Sequence, residues 1–245
     1  MDRVPICFIE EVLLQISYKL CGPTSHGEHH KLPCIWGRIA KRKPVKETVG
    51  LHLCFVSEKE AHWNVWRHKT SESVPLANLG HFTISHIVIW GRSMEGYRRC
   101  DLLTETNFKV LRKYLRTGLS CIIIFSAKKR CDHPLVRKLC LAPTRVTRIE
   151  LFKPTPIQLE ILTQSVTRGT LRSFEFPFHL NVTNELLHVL LEFVASVQIE
   201  EFSLYVALKS PISYETVLSR VAEAFLSRER AQRFKFYARC GSKHI

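Results

Sequence analysis

Four short segments in the second half of the chain share one alternation of apolar and polar residues, and this repeat constrains the fold more than any other feature. The segments are Arg148-Ile149-Glu150-Leu151, Ser173-Phe174-Glu175-Phe176, Glu201-Phe202-Ser203-Leu204 and Arg233-Phe234-Lys235-Phe236. Their first apolar residues lie 25 to 32 residues apart. An alternation of period two predicts β-strands with one buried face. We therefore expect Phe174, Phe202 and Phe234 to occupy equivalent inward positions and to stack.

The segments between these strands have helical spacing and recognisable starts. Helices are predicted to begin near Thr104, Thr155, Thr183 and Ser213, because a hydroxyl side chain there can accept a hydrogen bond from the first helical turn. Thr155 is followed by Pro156 and Gln158, a pattern typical of a capping box. Farther along the chain, Gly169 is suited to a left-handed helix end.

Two earlier apolar runs, 86–90 and 121–125, extend the series to six predicted strands, and the helix after the second is short and interrupted by Pro134 and Pro143. Strands separated by one helix each need crossover connections and therefore run parallel. The predicted class is α/β, as a leucine-rich-repeat-like solenoid with parallel strands in sequence order and helices on one side. A doubly wound sheet is the rival, but its strands are normally apolar on both faces.

Three regions are predicted, the first of them from the family resemblance described below. Residues 1–45 form a helical head, residues 46–80 a β-hairpin and linker, and residues 81–245 the repeat array. The hairpin is predicted from the apolar runs 51–55 and 62–66, which flank the polar turn 57–60. The same runs contain Trp63 and Trp66, for which burial is the commoner outcome.

The head and the repeats together resemble a known family. The N-terminal pattern of Val4, Pro5, Phe8, Glu10, Val12 and Leu13 resembles the start of an F-box, and the strand-helix units resemble a degenerate leucine-rich-repeat array. The layout is similar to that of nematode F-box-like proteins. The resemblance implies that the head docks onto a Skp-type adaptor of a cullin ubiquitin ligase, and that the repeats bind the protein to be ubiquitinated. The adaptor-binding residues it implies are Val4, Pro5, Phe8, Val12 and Leu13. The alternative for them is an N-terminal helix that only caps the array.

The polar positions of the predicted strands are the candidate partner-binding residues. In an open array they line one exposed face, where mixed charge and tyrosine suit a protein partner. These positions are Arg148, Glu150, Ser173, Glu175, Glu201, Ser203, Tyr205, Arg233, Lys235 and Tyr237.

An uneven positive charge supports a second hypothesis. The chain has a formal net charge of +14, and residues 101–150 hold 11 Lys and Arg but only 4 Asp and Glu. Such a patch attracts nucleic acid or acidic proteins, although a basic face can also serve solubility alone. The candidate nucleic-acid-binding residues are Lys109, Arg112, Lys113, Arg116, Lys128, Lys129 and Arg130.

Catalytic motifs are absent from the sequence. It contains no phosphate-binding glycine loop, nucleophile elbow or His-Glu-x-x-His pattern, so we predict neither an enzyme nor a cofactor. Zinc is a minor alternative for a cluster with suitable ligand types but no known finger spacing. That cluster is Cys21, His26, His29, His30 and Cys34. No signal peptide is recognisable, which favours a cytoplasmic or nuclear protein.

Overall fold

A computed structural model describes Val12 and residues 46–68, 70–91, 100–116, 120–126, 132–152, 155–227 and 234–240. The chain divides into two compact units, Met1–Glu47 and Thr48–Ile245. Val12 is helical and half-buried. The other four adaptor-binding candidates, Val4, Pro5, Phe8 and Leu13, lie outside the described residues.

The described residues form an α/β fold around one nine-stranded, mostly parallel sheet. The strands are β1 (Glu47–Phe55), β2 (Ala61–Arg67), β3 (Phe82–Trp90), β4 (Asp101–Leu102), β5 (Cys121–Phe125), β6 (Val146–Leu151), β7 (Ser173–Leu180), β8 (Glu201–Val206) and β9 (Lys235–Cys240). The helices are α1 (Glu105–Leu115), α2 (Pro134–Cys140), α3 (Pro156–Thr167), α4 (Asn184–Val194) and α5 (Tyr214–Leu226), and a 3-10 helix spans Leu76–His81.

Six strands follow one another across the sheet in chain order. The spatial order is β4-β2-β1-β3-β5-β6-β7-β8-β9, and each neighbouring pair from β3 to β9 is parallel. This confirms the six predicted parallel strands. The predicted hairpin is confirmed as well, since β1 and β2 pair antiparallel around the turn at 57–60. The hairpin and the parallel strands form one continuous sheet.

One face of the sheet is the core face, and it is apolar along whole rows of paired residues. One such row runs Ile87, Ile123, Ile149, Phe174, Phe202, Phe236 from β3 to β9. The first five side chains are fully buried and belong to the same cluster as the buried helix residues Leu111, Leu139, Leu162, Leu190 and Val217. The helices therefore cover the core face, and apolar burial there is the main stabilising contribution.

The helix starts are largely as predicted. The hydroxyls of Thr104, Thr183 and Ser213 each accept a hydrogen bond from the backbone N–H three residues later. Gly169 has a φ of 65°, which is the predicted left-handed conformation.

Two predictions about helix ends were wrong. Thr155 precedes α3, but its side chain makes no capping bond and Gln158 is buried, so the expected capping box does not form. Pro134 does not interrupt a helix; it occupies the first turn of α2, where its missing N–H costs little.

The prediction that Phe234 is equivalent to Phe174 and Phe202 was also wrong, because the true position lies two residues later. Phe202 pairs with Phe236, so the fourth segment is Lys235-Phe236-Tyr237-Ala238. Phe234 precedes β9 and stacks on Phe225 of α5 at 4.8 Å between ring centroids. The stack in adjacent strands therefore consists of Phe174, Phe202 and Phe236, with centroids 5.9 and 5.6 Å apart.

Candidate functional site

The second face of the sheet is polar from β6 to β9, and we call this part the open face. Strand pairing arranges its side chains in two rows, because paired residues of neighbouring strands point to the same side. The first row is Arg148, Ser173, Glu201 and Lys235, and the second is Glu150, Glu175, Ser203 and Tyr237. Eight of the ten predicted partner-binding residues lie in these two rows, and a ninth, Tyr205, lies beside them. The tenth, Arg233, lies outside the described residues.

An ion-pair network lies at the β6 end of the open face. The Arg148 guanidinium lies 2.9 Å from a Glu150 carboxylate oxygen through Nε and 2.8 Å from a Glu175 oxygen through Nη2. The three side chains are between 22% and 33% exposed, so solvent screens the network only in part. Burial lowers the pKa of Arg148, but Glu150 and Glu175 outweigh it and raise that pKa overall. Arg148 is therefore a fixed positive charge.

Carboxylates outnumber cations around this network. Glu201 accepts a hydrogen bond of 3.3 Å from the Ser173 hydroxyl in the neighbouring strand. Burial raises the pKa of Glu150, and the nearby Glu175 and Glu201 charges add to that effect while Arg148 opposes it. Like charges held this close together favour a cationic group from outside, since it would reduce their mutual repulsion.

Aromatic side chains lie beside the open face at the C-terminal ends of the strands. Phe152 and Phe178 have ring centroids 4.7 Å apart, and Phe178 is 48% exposed. Arg239 lies over the Tyr205 ring at 5.7 Å. Exposed aromatic and arginine side chains of this kind are enriched where proteins bind one another.

Phe152, Phe178 and Arg239 were not among the predicted partner-binding residues. The pairing of β7 with β8 shifts register between Phe176 and His179, around Pro177. A proline in the middle of a strand signals such an irregularity, because it cannot donate a ladder hydrogen bond. This signal could have identified Phe178, whose side chain leaves the simple alternation at that point.

Beyond β5, the same side of the sheet carries a packed cluster of histidines and tryptophans. The cluster consists of His52, Trp66, His68, His86 and Trp90, with successive ring centroids 4.0 to 5.9 Å apart. His52 is only 2% exposed. Burial, and then His68, lower the pKa of His52 to about 4, and burial with His68 and Arg148 does the same for His86. Both are neutral at physiological pH and serve as packed aromatic groups.

Four of the predicted basic residues lie on α1 or at its C-terminal cap and share one exposed surface. Lys109, Arg112, Lys113 and Arg116 are all exposed, and the Arg112 guanidinium lies 5.9 Å from the Phe108 ring centroid. Lys128, Lys129 and Arg130 lie outside the described residues. The alternative nucleic-acid surface thus has four described members, on the helix layer and not on the open face.

The zinc candidates Cys21, His26, His29, His30 and Cys34 also lie outside the described residues. Among the residues that the structure describes, no three His, Cys, Asp or Glu side chains are grouped so as to hold a metal ion. None of the described helices combines the length and the apolar character needed to cross a membrane. No protein-family model matches the chain, and the searches of curated proteins and of solved structures gave no match.

Proposed function

We propose that this chain is a non-catalytic protein-recognition module that binds its partner on the open face. In this proposal the strand-helix units form an open, leucine-rich-repeat-like solenoid, whose exposed strand positions are free to contact another protein. The single observation that supports the proposal most is the pair of polar rows from β6 to β9, which are partly exposed except at Ser173, end in the exposed Tyr237 and lie beside the exposed Phe178.

The chemistry of this surface suits a protein more than a small molecule or a nucleic acid. Exposed aromatic rings beside a partly buried arginine network provide both apolar contact area and directional hydrogen bonds. The surplus of carboxylates over cations near Glu150 repels phosphate groups. A partner surface that carries Lys or Arg beside apolar side chains would complement it.

The F-box resemblance extends the proposal to a cullin-type ubiquitin ligase. There the N-terminal segment, through Val4, Pro5, Phe8, Val12 and Leu13, would bind a Skp-type adaptor while the open face binds the ubiquitination target. The two contacts involve different residues, so they can be tested separately in one experiment.

The experiment compares proteins that co-purify with the tagged full chain and with variants of equal thermal stability. The variant Phe178→Ser/Tyr237→Ala removes two exposed rings of the open face, and Val197→Ser/Leu226→Ser removes exposed apolar residues elsewhere. We expect the first variant alone to lose the specific partner, by about tenfold or more in affinity. Equal capture by both variants would contradict the open-face proposal.

The variant Pro5→Ser/Phe8→Glu tests the adaptor in the same experiment. If the adaptor proposal is correct, this variant loses a Skp-type protein but retains the partner that depends on the open face. Absence of a Skp-type protein from the wild-type sample would contradict the ubiquitin-ligase proposal and leave the recognition proposal standing.

Nucleic-acid binding by α1 is the second candidate, favoured by three exposed basic residues of that helix and by Arg116 at its C-terminal cap. It predicts binding to random oligonucleotides that weakens steeply with salt, and that falls when Arg112 and Arg116 are changed to glutamate. Binding that is insensitive to both changes would exclude this surface.

A further inference from the structure

The last strand of the sheet, β9, leaves the core-face row incomplete. Phe174 and Phe202 are fully buried between neighbouring strands. Phe236 stacks on Phe202 at 5.6 Å with an interplanar angle of 6°, yet it is only partly buried. Phe202 covers its ring on the side of β8, and Phe234 stacks on it at 6.0 Å within the same chain segment. The described residues provide no further strand beyond it. A side chain placed on the outer side would continue the row and bury more of the ring.

Part of the β9 backbone points away from β8, toward the position of an added strand. The Lys235 N–H donates to the Glu200 carbonyl on the side of β8. Because backbone groups alternate in direction along a strand, those of Tyr237 and Arg239 also point to β8, and those of Phe236 and Ala238 point outward. The Ala238 carbonyl is 3.5 Å from the Tyr214 hydroxyl, which is at the limit of a hydrogen bond. An edge of this kind is suited to pairing with an added strand.

The side chains of β9 indicate which side chains an added strand should carry. Lys235, Tyr237 and Arg239 are exposed on one face and alternate with Phe236 and Ala238 on the other. The strand contains no acidic residue. A second copy of β9 would bring Lys235 and Arg239 close to the same cations of its partner, and like charges facing one another across strands are destabilising. Acidic side chains at the alternate positions would instead be attracted to both cations.

We propose that an extended acidic segment of a partner protein binds along β9 as a further strand. Its acidic side chains lie beside Lys235 and Arg239, and its apolar side chains cover Phe236 on the core-face side. The outward N–H and C=O groups of Phe236 and Ala238 supply the main-chain hydrogen bonds. Lys235 also belongs to the open face. The strand-addition site nevertheless does not rest on the open-face proposal, because its main-chain contacts are at the sheet edge.

The probe is a fluorescent ten-residue peptide in which glutamate and valine alternate, and the control peptide alternates lysine and valine. We expect the full chain to bind the acidic peptide at least about tenfold more tightly than the basic one. The double variant Lys235→Glu/Arg239→Glu reverses this preference. The matched variant Lys209→Glu/Arg220→Glu, which changes the net charge equally at positions outside β9, preserves it.

A proline at position 238 tests the main-chain contact. Ala238→Pro removes an N–H that points away from β8. Strand β9 therefore keeps its pairing with β8, while a carbonyl of the added strand loses its hydrogen-bond donor. We expect binding of the acidic peptide to fall about tenfold or more. Phe178→Ser, which changes the open face two strands away, leaves peptide binding intact and so separates the two proposals.

Three results would overturn the strand-addition proposal. The first is equal affinity of the wild-type protein for the two peptides. The second is a Lys235→Glu/Arg239→Glu variant that still prefers the acidic peptide. The third is a wild-type dimer, seen in analytical ultracentrifugation, that dissociates in the Lys235→Glu/Arg239→Glu variant or in Ala238→Pro. The last would make a second copy of the chain the occupant of the edge. If Ala238→Pro fails to fold, the two charge variants still decide between the acidic partner and its alternatives.

Discussion

At the scale of single residues, Gly50 has less room for a side chain than the described Gly80 and Gly169. An added Cβ at this position would collide with the indole nitrogen of Trp66 and come within 3.1 Å of the His68 ring. The glycine is required because the indole of β2 lies directly over the backbone of β1. A larger residue would displace Trp66 from His52, whose ring centroid is 4.0 Å away.

Replacement of Gly50 by alanine should therefore destabilise the protein. We expect a loss of about 1–3 kcal/mol in the free energy of unfolding, as is typical of overpacking, measured by urea denaturation. Gly80→Ala is the control, because a Cβ there would meet only the Tyr114 hydroxyl at 3.6 Å, an ordinary contact. Equal losses for the two variants would show that the Trp66 contact is not the cause.

At the scale of secondary structure elements, the sequence predicted what depends on neighbouring residues. Helix starts at Thr104, Thr183 and Ser213 follow from hydrogen bonds that span three residues, so the local sequence contains the whole signal. The register of β9 depends on pairing with a distant strand. A shift of two residues keeps every side chain on its face, so the alternation fitted Phe234 as well as Phe236.

Alanine substitutions should distinguish Phe202, which belongs to the core-face row, from Phe234, which lies outside it. Phe202→Ala should cost about 3–5 kcal/mol, because a fully buried ring leaves a cavity between Phe174 and Phe236. Phe234→Ala should cost only about 1–2 kcal/mol, since that ring is partly buried and packs against Phe225. Urea unfolding of both variants measures the difference, and a loss at Phe234 equal to that at Phe202 would contradict the observed register.

The candidate site could be predicted to a similar extent. The two polar rows of the open face follow from alternation alone, which identified Arg148, Glu150 and Glu175 as neighbours on one face. Their ion-pair geometry did not follow, because it depends on side-chain conformation. The histidine-tryptophan cluster also escaped prediction. It requires β1 to lie between β2 and β3, an order that no local pattern specifies.

At the scale of the whole molecule, the two candidate binding surfaces differ in charge. The cations Lys109, Arg112, Lys113 and Arg116 are exposed on α1 and at its C-terminal cap. The open face instead combines the carboxylates Glu150, Glu175 and Glu201 with the cations Arg148 and Lys235. The net charge of +14 therefore does not describe the proposed binding face. Partners of opposite charge can approach the two surfaces independently, which is why the recognition and nucleic-acid hypotheses make separable predictions.

The stability of the whole molecule should depend on pH through the buried histidines. His52 and His86 have a pKa near 4 in the folded protein, against about 6.5 in the unfolded chain. Between these pH values the unfolded state binds more protons than the folded state. The contribution of the two histidines to the free energy of unfolding therefore has its full value above about pH 6.5 and is lost as the pH falls toward 4. The raised pKa of Glu150 acts in the opposite direction, because its folded carboxyl holds a proton more readily. Comparison of variants therefore isolates the histidine effect better than the wild-type curve does.

Urea midpoints of the wild-type protein and of His52→Gln between pH 7.5 and 4.5 provide the measurement. The glutamine does not titrate in this range, so we expect the variant to lose less stability on acidification even if it is less stable at pH 7.5. His188→Gln is the control, since the His188 side chain is 77% exposed, and it should reproduce the wild-type slope. Parallel curves for His52→Gln and the wild type would mean that His52 takes up its proton in the folded protein as readily as in the unfolded chain, and the packed cluster would then not exclude charge.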